Sequence, residues 1–277
     1  MNDYSFLIVG GDKRQEYLYK ILSAKNKKSE AIFLRGKSNI FEDLEKIYES
    51  DVIILPIPST TDGTTLYAPM LNDKVPLSSI VERISNKAIL FTGGENNIFT
   101  ACKAKKVINL LSNEAMTLKN AMATAEAALA IIIDETEHTL FDSEILITGY
   151  GRIGKIITNY LMALKANVSV CARSEISRTE AAIAGAKNFG FNKLKDSLPK
   201  YEILINTVPW LIFKEEELKK IKPDALIIDL ASKPGGIDFN YAKSIGLKVI
   251  HALSLPGKYS PQTAAKFIEE AIDTTLI

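Results

Sequence analysis

The fold is indicated by the segment Glu144-Ile145-Leu146-Ile147-Thr148-Gly149-Tyr150-Gly151-Arg152-Ile153-Gly154. It predicts a short apolar strand, a G-x-G-x-x-G turn and then a helix, the order in which such glycines bind a dinucleotide. Gly149 would permit a tight turn, Gly151 would let the backbone approach a pyrophosphate, and Gly154 would let the helix pack on the strand. The free N–H groups at the helix N-terminus would face the phosphates, with Tyr150, Arg152 and Ile153 beside them. The alternative is a turn with only a structural role.

Short apolar strands alternate with helical patterns on both sides of this turn. Strands are predicted at 6–10, 31–34, 51–56, 88–91 and 106–110, and again at 144–148, 167–171, 202–206, 225–229 and 248–250. Such alternation is typical of parallel, doubly wound sheets covered by helices on both faces. We therefore predict two α/β domains: a substrate domain at 1–113 and a Rossmann dinucleotide-binding domain at 139–260. A linker helix at 114–138 would join them, and the last helical pattern, 261–277, could pack back on the first domain.

Composition excludes several classes of protein. The 277 residues include 34 basic and 33 acidic side chains, for a net charge of +1, whereas nucleic-acid binders usually carry a basic excess or face. The two cysteines, Cys102 and Cys171, lie far apart and suit reduced, buried thiols better than a disulfide or metal site. No signal-peptide pattern precedes the first strand, and no apolar run reaches the length of a membrane span. We expect a cytoplasmic protein without metal, nucleic-acid or membrane partners, and leave a homo-oligomer open.

The strand after the glycine turn bears on the choice of nucleotide. An NAD site carries a carboxylate at the end of that strand, where it binds the ribose hydroxyls. Here the strand runs into Ala172-Arg173-Ser174, and the first acid is Glu175. Arg173 could hold a 2′-phosphate through charge-assisted hydrogen bonds, and Ser174 could add a hydroxyl donor. These residues favour NADP(H) over NAD(H), unless Arg173 is an ordinary surface arginine.

The next two strands also end in polar residues. One continues into Asn206-Thr207-Val208-Pro209, and the other into Asp229-Leu230-Ala231-Ser232-Lys233-Pro234-Gly235-Gly236. Ligands of parallel sheets bind at the carboxyl ends of strands, so these two ends, with residues 206–209 in the first, are predicted to contact the nicotinamide ribose. The alternative is that either end is only a turn. Trp210, which follows, is predicted to pack rather than to stack on a ligand.

Several motifs, in order along the chain, resemble the family of the dipicolinate synthase A subunit. They are Val9-Gly10-Gly11-Asp12-Lys13-Arg14-Gln15, Leu55-Pro56, Thr124-Ala125-Glu126, Gly149 to Gly154, Ala172-Arg173-Ser174, Asn206-Thr207-Val208-Pro209, Asp229 to Asp238, and Leu255-Pro256-Gly257-Lys258. The similarity spans nearly the whole chain. The G-G-D-x-R-Q and A-S-K-P-G-G-x-D segments are more particular than the glycine turn. The chain departs from the family in lacking a proline before Thr124 and a glycine after Glu126.

This resemblance implies an NADP-dependent oxidoreductase that converts dihydrodipicolinate to dipicolinate during sporulation. It also implies a cytoplasmic location in the mother cell of a sporulating bacterium, and a partner in the dipicolinate synthase B subunit. Two rivals remain open. One is another NADP-dependent dehydrogenase of a small carboxylate or keto acid, and the other is a non-catalytic, NADP(H)-binding regulatory subunit.

A small dicarboxylate substrate requires cations and N–H or O–H donors. Candidates at predicted strand ends are Arg14, Ser59, Thr60, Thr61, Gly93, Gly94, Lys233 and Lys258. We predict that Arg14 and the loop at 59–61 bind one carboxylate and that Lys233 or Lys258 binds the other. Glu126 on the linker helix is the predicted general base, with His251 as the alternative. Each of these residues could instead be a solvated charge or a turn residue.

Overall fold

The computed structural model of the protein describes residues 4–25 and 27–276. The chain divides into two compact units, one formed by Met1–Asn120 with Pro256–Ile277 and the other by Ala121–Leu255. Each unit contains a parallel sheet with helices in the connections between its strands. The predicted fold class is therefore confirmed.

The strands are β1 (Phe6–Val9), β2 (Ser29–Ile32), β3 (Val52–Ile54), β4 (Ile89–Thr92), β5 (Lys106–Asn109), β6 (Glu144–Thr148), β7 (Asn167–Cys171), β8 (Lys187–Phe189), β9 (Ile203–Asn206), β10 (Leu226–Asp229) and β11 (Lys248–His251). The α-helices are α1 (Lys13–Ala24), α2 (Ile40–Glu49), α3 (Leu77–Val81), α4 (Glu114–Glu135), α5 (Arg152–Ala163), α6 (Glu175–Ile183), α7 (Leu194–Ser197), α8 (Glu215–Leu218), α9 (Phe239–Ser244), α10 (Leu255–Tyr259) and α11 (Pro261–Leu276). Short 3₁₀ helices lie at Asn97–Ala101, Leu110–Ser112, Phe191–Lys193 and Leu198–Lys200.

The first unit has the strand order β2-β1-β3-β4-β5, with all pairs parallel. This is the flavodoxin-like doubly wound order, in which the connections change direction between β1 and β3. Helix α11 returns to this unit from the end of the chain and packs on α1 through Ile268 and Ile272, which share a core with Leu18 and Leu22. Ion pairs of Lys25 and Lys27 with Glu269 and Asp273 border this contact.

The second unit has the order β11-β10-β9-β6-β7-β8, again parallel throughout. Counted from β8, this is the Rossmann order 3-2-1-4-5-6, with the change of direction between β6 and β9. The central strands are buried along almost their whole length, which explains why they read as continuous Ile and Leu runs rather than as alternating patterns. The glycine turn follows β6 and therefore lies at the switch point.

Three element predictions were wrong in detail. Strand β2 ends at Ile32, two residues early, because Phe33 has φ +58° and leaves the extended conformation. Strand β8 was missed because this edge strand, Lys-Asn-Phe, lacks an apolar run. Helix α4 ends at Glu135, three residues before the predicted 138.

Helix α4 also corrects the expectation that no apolar segment reaches the length of a membrane span. Its 22 residues have a stretch of mean hydropathy 1.3 and pass that test by length and composition, and half of that stretch is buried within the fold. A core helix of a globular protein has the same properties. The division between the two units falls within α4, between Asn120 and Ala121.

Asp51 provides a pH-dependent test of the first unit. Its Oδ2 accepts hydrogen bonds from the Ser5 backbone N (2.9 Å) and hydroxyl (2.8 Å), and these bonds lower the pKa of the carboxyl group. Because the folded pKa lies below the unfolded value of about 3.9, this stabilisation is complete above that pH and is lost as pH falls through the folded pKa.

We expect Asp51→Ala to lower the free energy of unfolding by about 1 kcal/mol at pH 7, since the carboxylate is exposed. The difference from the unsubstituted protein should shrink below about pH 4 in urea titrations. Asp224→Ala, at an exposed aspartate without a described side-chain hydrogen bond, is the control. A loss that is constant with pH would contradict the assignment.

Candidate functional site

The glycine turn has the geometry that its sequence predicted. Gly149 directly follows β6 and has φ +89°, a conformation that side chains other than glycine rarely adopt. A Cβ atom on Gly154 would lie 2.4 Å from the carbonyl oxygen of Gly149, so α5 can start against the turn only if residue 154 has no side chain. Both glycines are thus required by the local fold.

Gly151 differs, because a Cβ atom there would meet no other atom within 4 Å. It is the N-cap residue of α5 and supplies no side-chain hydrogen bond to the helix. The first N–H groups of a helix lack intrahelical partners and carry partial positive charge, so such an end favours phosphate. The space over Gly151 and the uncapped helix end fit the pyrophosphate of a dinucleotide.

The side chains between the glycines serve packing more than the sequence suggested. Tyr150 is only 7% exposed and packs with Val170, Ala172 and Ala181; burial raises the pKa of its hydroxyl. Ile153 packs against the main core of the unit. If Tyr150 and Ile153 contact a cofactor as predicted, they must do so through their backbone atoms. Arg152 is exposed at the start of α5.

Three buried polar residues form a row across the ends of adjacent strands. Thr148, Asn206 and Asp229 are paired in register on β6, β9 and β10, and none is exposed to solvent. The Thr148 hydroxyl donates to Oδ1 of Asn206 (2.7 Å), and Nδ2 of Asn206 donates to Oδ1 of Asp229 (2.8 Å). Buried polar groups need such partners, and here each strand end supplies one to the next.

This row changes the role predicted for Asn206 and Thr207. Asn206 also accepts from the Val208 N–H (3.1 Å) and donates to the Val208 carbonyl (3.0 Å), so its amide has no capacity left for a ligand. The Thr207 hydroxyl donates to the carbonyl of Thr148 (2.8 Å). These side chains build the turn after β9, along which Val208 is half-buried and Pro209 is exposed.

The prediction that Trp210 packs rather than stacks on a ligand is wrong in its first part. Its side chain is 75% exposed in the loop after β9. The loop is closed behind it by Ile212 and Phe213, whose N–H groups both donate to the carbonyl of Gly236 (3.0 Å each).

The corner after β7 contains a residue that the sequence pattern did not reveal. Arg173 is exposed, whereas Ser174 is the N-cap of α6, accepting from the Ser177 N–H (3.0 Å) and donating to the Ser177 hydroxyl (2.9 Å). Nη1 of Arg178 donates to the carbonyls of Ala172 (3.0 Å) and Arg173 (2.8 Å). Arg178 therefore fixes the backbone that carries Arg173. The signal in the sequence that could have revealed this role is the presence of a second arginine, Arg178, one turn inside α6.

In the first unit, Arg14 has a protein partner that the sequence pattern did not indicate. It is 3% exposed and forms a bidentate pair with Asp12 (2.9 and 2.8 Å), and it also donates to the carbonyl of Ile57. Asp12 is in turn the N-cap of α1. The guanidinium therefore holds loops together, and the predicted contact with a substrate carboxylate would need a donor not used in these bonds.

The loop after β3 divides into a buried and an exposed part. The buried Ser59 hydroxyl donates to the Pro56 carbonyl (3.2 Å) and accepts from the Gly93 N–H (2.8 Å), so its proton is already used within the protein. Thr60 bonds to Asp62 (3.1 Å), and Thr61 is exposed. The Gly94 N–H donates to Asn109 (3.1 Å). Of the predicted hydroxyl donors, Thr61 is the most accessible.

The C-terminal L-P-G-K motif lies against the G-G-D-x-R-Q motif. A Cβ atom on Gly257 would lie 2.5 Å from Oδ2 of Asp12 and 3.0 Å from Nε of Arg14. The neighbouring Lys258 is exposed. The structure thus brings two distant motifs of the first unit together and leaves an exposed cation beside the buried Asp12–Arg14 pair.

The remaining predicted residues belong to the second unit. Lys233 is exposed on the loop after β10. His251 ends β11 in register with Asp229, stacks on Phe239 with 4.8 Å between ring centres, and places Nε2 3.2 Å from the carbonyl of Ala231.

Glu126 is exposed on α4, near enough to Tyr160 to add to the effect of burial in raising the pKa of that phenol. Tyr160 lies eight residues along α5 from Arg152, or about 12 Å at the helical rise. This location does not favour a role for Glu126 as the base beside the glycine turn.

Comparison with known proteins identifies the family of this chain. The profile for the N-terminal domain of the dipicolinate synthase A subunit matches residues 5–113, and that described as D-isomer specific 2-hydroxyacid dehydrogenase, NAD binding domain, matches residues 116–233. The A subunit of dipicolinate synthase from Bacillus subtilis (strain 168) is 31% identical over 286 residues, covering 97% of this chain and 94% of that protein. The chain belongs to the dipicolinate synthase A-subunit family.

Two crystal structures of the family show the same fold. The protein from Bacillus halodurans is 27% identical with a TM-score of 0.86, and 99% of this chain and 98% of that chain are covered. The protein from Bacillus subtilis is 28% identical with a TM-score of 0.85, and 100% and 96% are covered. The family resemblance predicted from the motifs is confirmed. The chain is of an oxidoreductase family with a nicotinamide dinucleotide-binding domain.

The glycine geometry yields a matched pair of variants. Gly154→Ala should destabilise the second unit, because the added methyl group meets the Gly149 carbonyl, and we expect a lower melting temperature. Gly151→Ala should leave the melting temperature within about 2 °C while weakening dinucleotide binding about tenfold or more, because the methyl group enters only the space of the ligand. Calorimetric titration and thermal unfolding of both variants check this. Unchanged binding in Gly151→Ala would contradict the placement of the pyrophosphate.

Proposed function

We propose that this chain oxidises dihydrodipicolinate to dipicolinate with NADP, acting with a dipicolinate synthase B subunit in a sporulating cell. The observation that carries the proposal is the 31% identity to the dipicolinate synthase A subunit of Bacillus subtilis along 97% of the chain. The geometry at the carboxyl ends of the strands supports it, since a dinucleotide site and several exposed cations occur there.

The reaction removes a hydride and a proton from the dihydropyridine ring and leaves an aromatic dicarboxylate. A bound nicotinamide supplies the hydride acceptor, so the protein's task is to bind, orient and accept the proton. The N-terminus of α5 above Gly151 would hold the pyrophosphate, and Arg173 the 2′-phosphate. In the first unit, the exposed Lys258 and the loop of Thr61 would be available to a substrate carboxylate, with Arg14 as the buried support of that loop. In the second unit, the exposed Lys233 would be available to a carboxylate.

His251 suits the role of general base better than Glu126. It lies at the carboxyl end of β11, and when Nε2 donates to the Ala231 carbonyl, Nδ1 carries the free lone pair. Histidine is also the side chain that most often serves as a general base. Glu126 remains the second candidate on account of its place in the T-A-E motif.

The reaction can be tested directly. Purified protein mixed with freshly formed dihydrodipicolinate and NADP should produce the ultraviolet absorbance of dipicolinate and of NADPH in equal amounts, alone or with a B subunit. No product in the presence of the partner, under conditions where NADP binds, would exclude the proposed activity.

A second candidate is a dehydrogenase of another small carboxylate. The match of residues 116–233 to the NAD-binding domain of D-isomer specific 2-hydroxyacid dehydrogenases favours it. Reduction of NADP with simple 2-hydroxy acids, at rates above those with dihydrodipicolinate, would select this candidate.

Preference for NADP is tested at Arg173. We expect Arg173→Ala to weaken NADP binding about tenfold or more, about 1.4 kcal/mol, because a charge-assisted contact with the 2′-phosphate is lost. Binding of NAD, which lacks that phosphate, should change less than about twofold. Lys220→Ala removes an equal charge from an exposed site of the same unit and is the control. Equal losses for both nucleotides would show that Arg173 does not read the 2′-phosphate.

A further inference from the structure

The peptide of Gly236 joins two loops at the carboxyl ends of β9 and β10. Its N–H donates to Oδ2 of Asp229 (2.8 Å), and its carbonyl accepts from the N–H groups of Ile212 and Phe213 (3.0 Å each). One residue thus bonds the loop that carries Lys233 to the loop that follows Asn206. These hydrogen bonds connect the two loops at Gly236.

Asp229 holds both ends of the loop that carries Lys233. Its Oδ1 accepts from the Ala231 N–H (3.0 Å) at the start of the loop, and Oδ2 accepts from Gly236 at the end. The same Oδ1 accepts from Asn206, whose amide also closes the turn at Val208. The carboxylate is fully buried and joins both loops to the strand-end row.

Close packing leaves this junction little freedom. A Cβ atom on Gly236 would lie 2.3 Å from Nδ2 of Asn206 and 2.7 Å from the Val208 carbonyl. The second glycine of the A-S-K-P-G-G segment thus lets one loop lie directly on the turn of the other. A displacement of either loop must be transmitted to its neighbour.

We propose that Asp229 is a positioning residue that couples the binding of dinucleotide at the 206–209 turn to the binding of a dicarboxylate at Lys233. The inference rests on the proposed function. A ligand that moves one loop to its bound position moves the other through Gly236, so the second ligand meets a loop that is already in its bound position. By linkage, each ligand then raises the affinity of the other by the same factor.

The test measures the affinity of dipicolinate by calorimetry with and without saturating NADP. We expect NADP to tighten dipicolinate binding about fivefold or more in the unsubstituted protein. Asp229→Asn keeps the shape of the side chain but turns an amide N–H₂ towards the Gly236 N–H, so that this bond is lost. In that variant the coupling factor, which is the ratio of the dipicolinate affinities with and without NADP, should fall below about twofold.

Asp224→Asn, at an exposed aspartate of the same unit, should keep the full coupling and serves as the control. Gly236→Ala disrupts the same junction without changing charge and should also lose the coupling, which provides a second variant if Asp229→Asn does not fold. Direct contact between the two ligands would instead keep the coupling in both junction variants, and that result overturns the proposal while leaving the proposed function intact. Failure of dipicolinate or NADP to bind the unsubstituted protein would overturn both.

Discussion

The arrangement at the switch point depends on hydrogen bonds among three buried side chains, Thr148, Asn206 and Asp229. Each ends a strand whose central residues are apolar, and parallel pairing in register places them side by side. A polar group in that position must find a partner within the protein, because water does not reach it. The hydrogen bonds among these three side chains therefore determine how the chain turns after β6, β9 and β10. They thereby determine where the glycine turn and the two following loops lie.

The first unit uses a different buried pair at its strand ends. Arg14 binds Asp12 and the Ile57 carbonyl, and Gly257 allows the C-terminal segment to pack against them. Breaking such a pair leaves an uncompensated buried charge, so it fixes the loops strongly. In both units the buried polar groups organise the scaffold. The exposed cations, Arg173, Lys233 and Lys258, are the ones available to an anionic ligand.

The two sheets could be predicted well from the sequence because nearly every strand is an apolar run and the turns are marked by Gly, Pro and polar residues. The prediction failed at β8, a polar edge strand, and at Phe33, whose positive φ no sequence pattern indicates. Among site residues, a polar side chain after a strand indicated that a hydrogen bond is needed there. Whether the partner is a ligand or another strand end depends on register. For this reason the sequence assigns Asn206 and Arg14 to ligands and gives Asp229, although it also ends a strand, no role of its own.

We propose that the turn at Gly149–Gly154 and the corner at Arg173 together form an NADP site. A crystal structure of the protein with NADP bound tests it most directly. We expect the pyrophosphate against the N–H groups at the start of α5, over Gly151, and the 2′-phosphate in contact with the Arg173 guanidinium. A dinucleotide bound away from Gly151, or a 2′-phosphate that makes no contact with Arg173, would contradict the account.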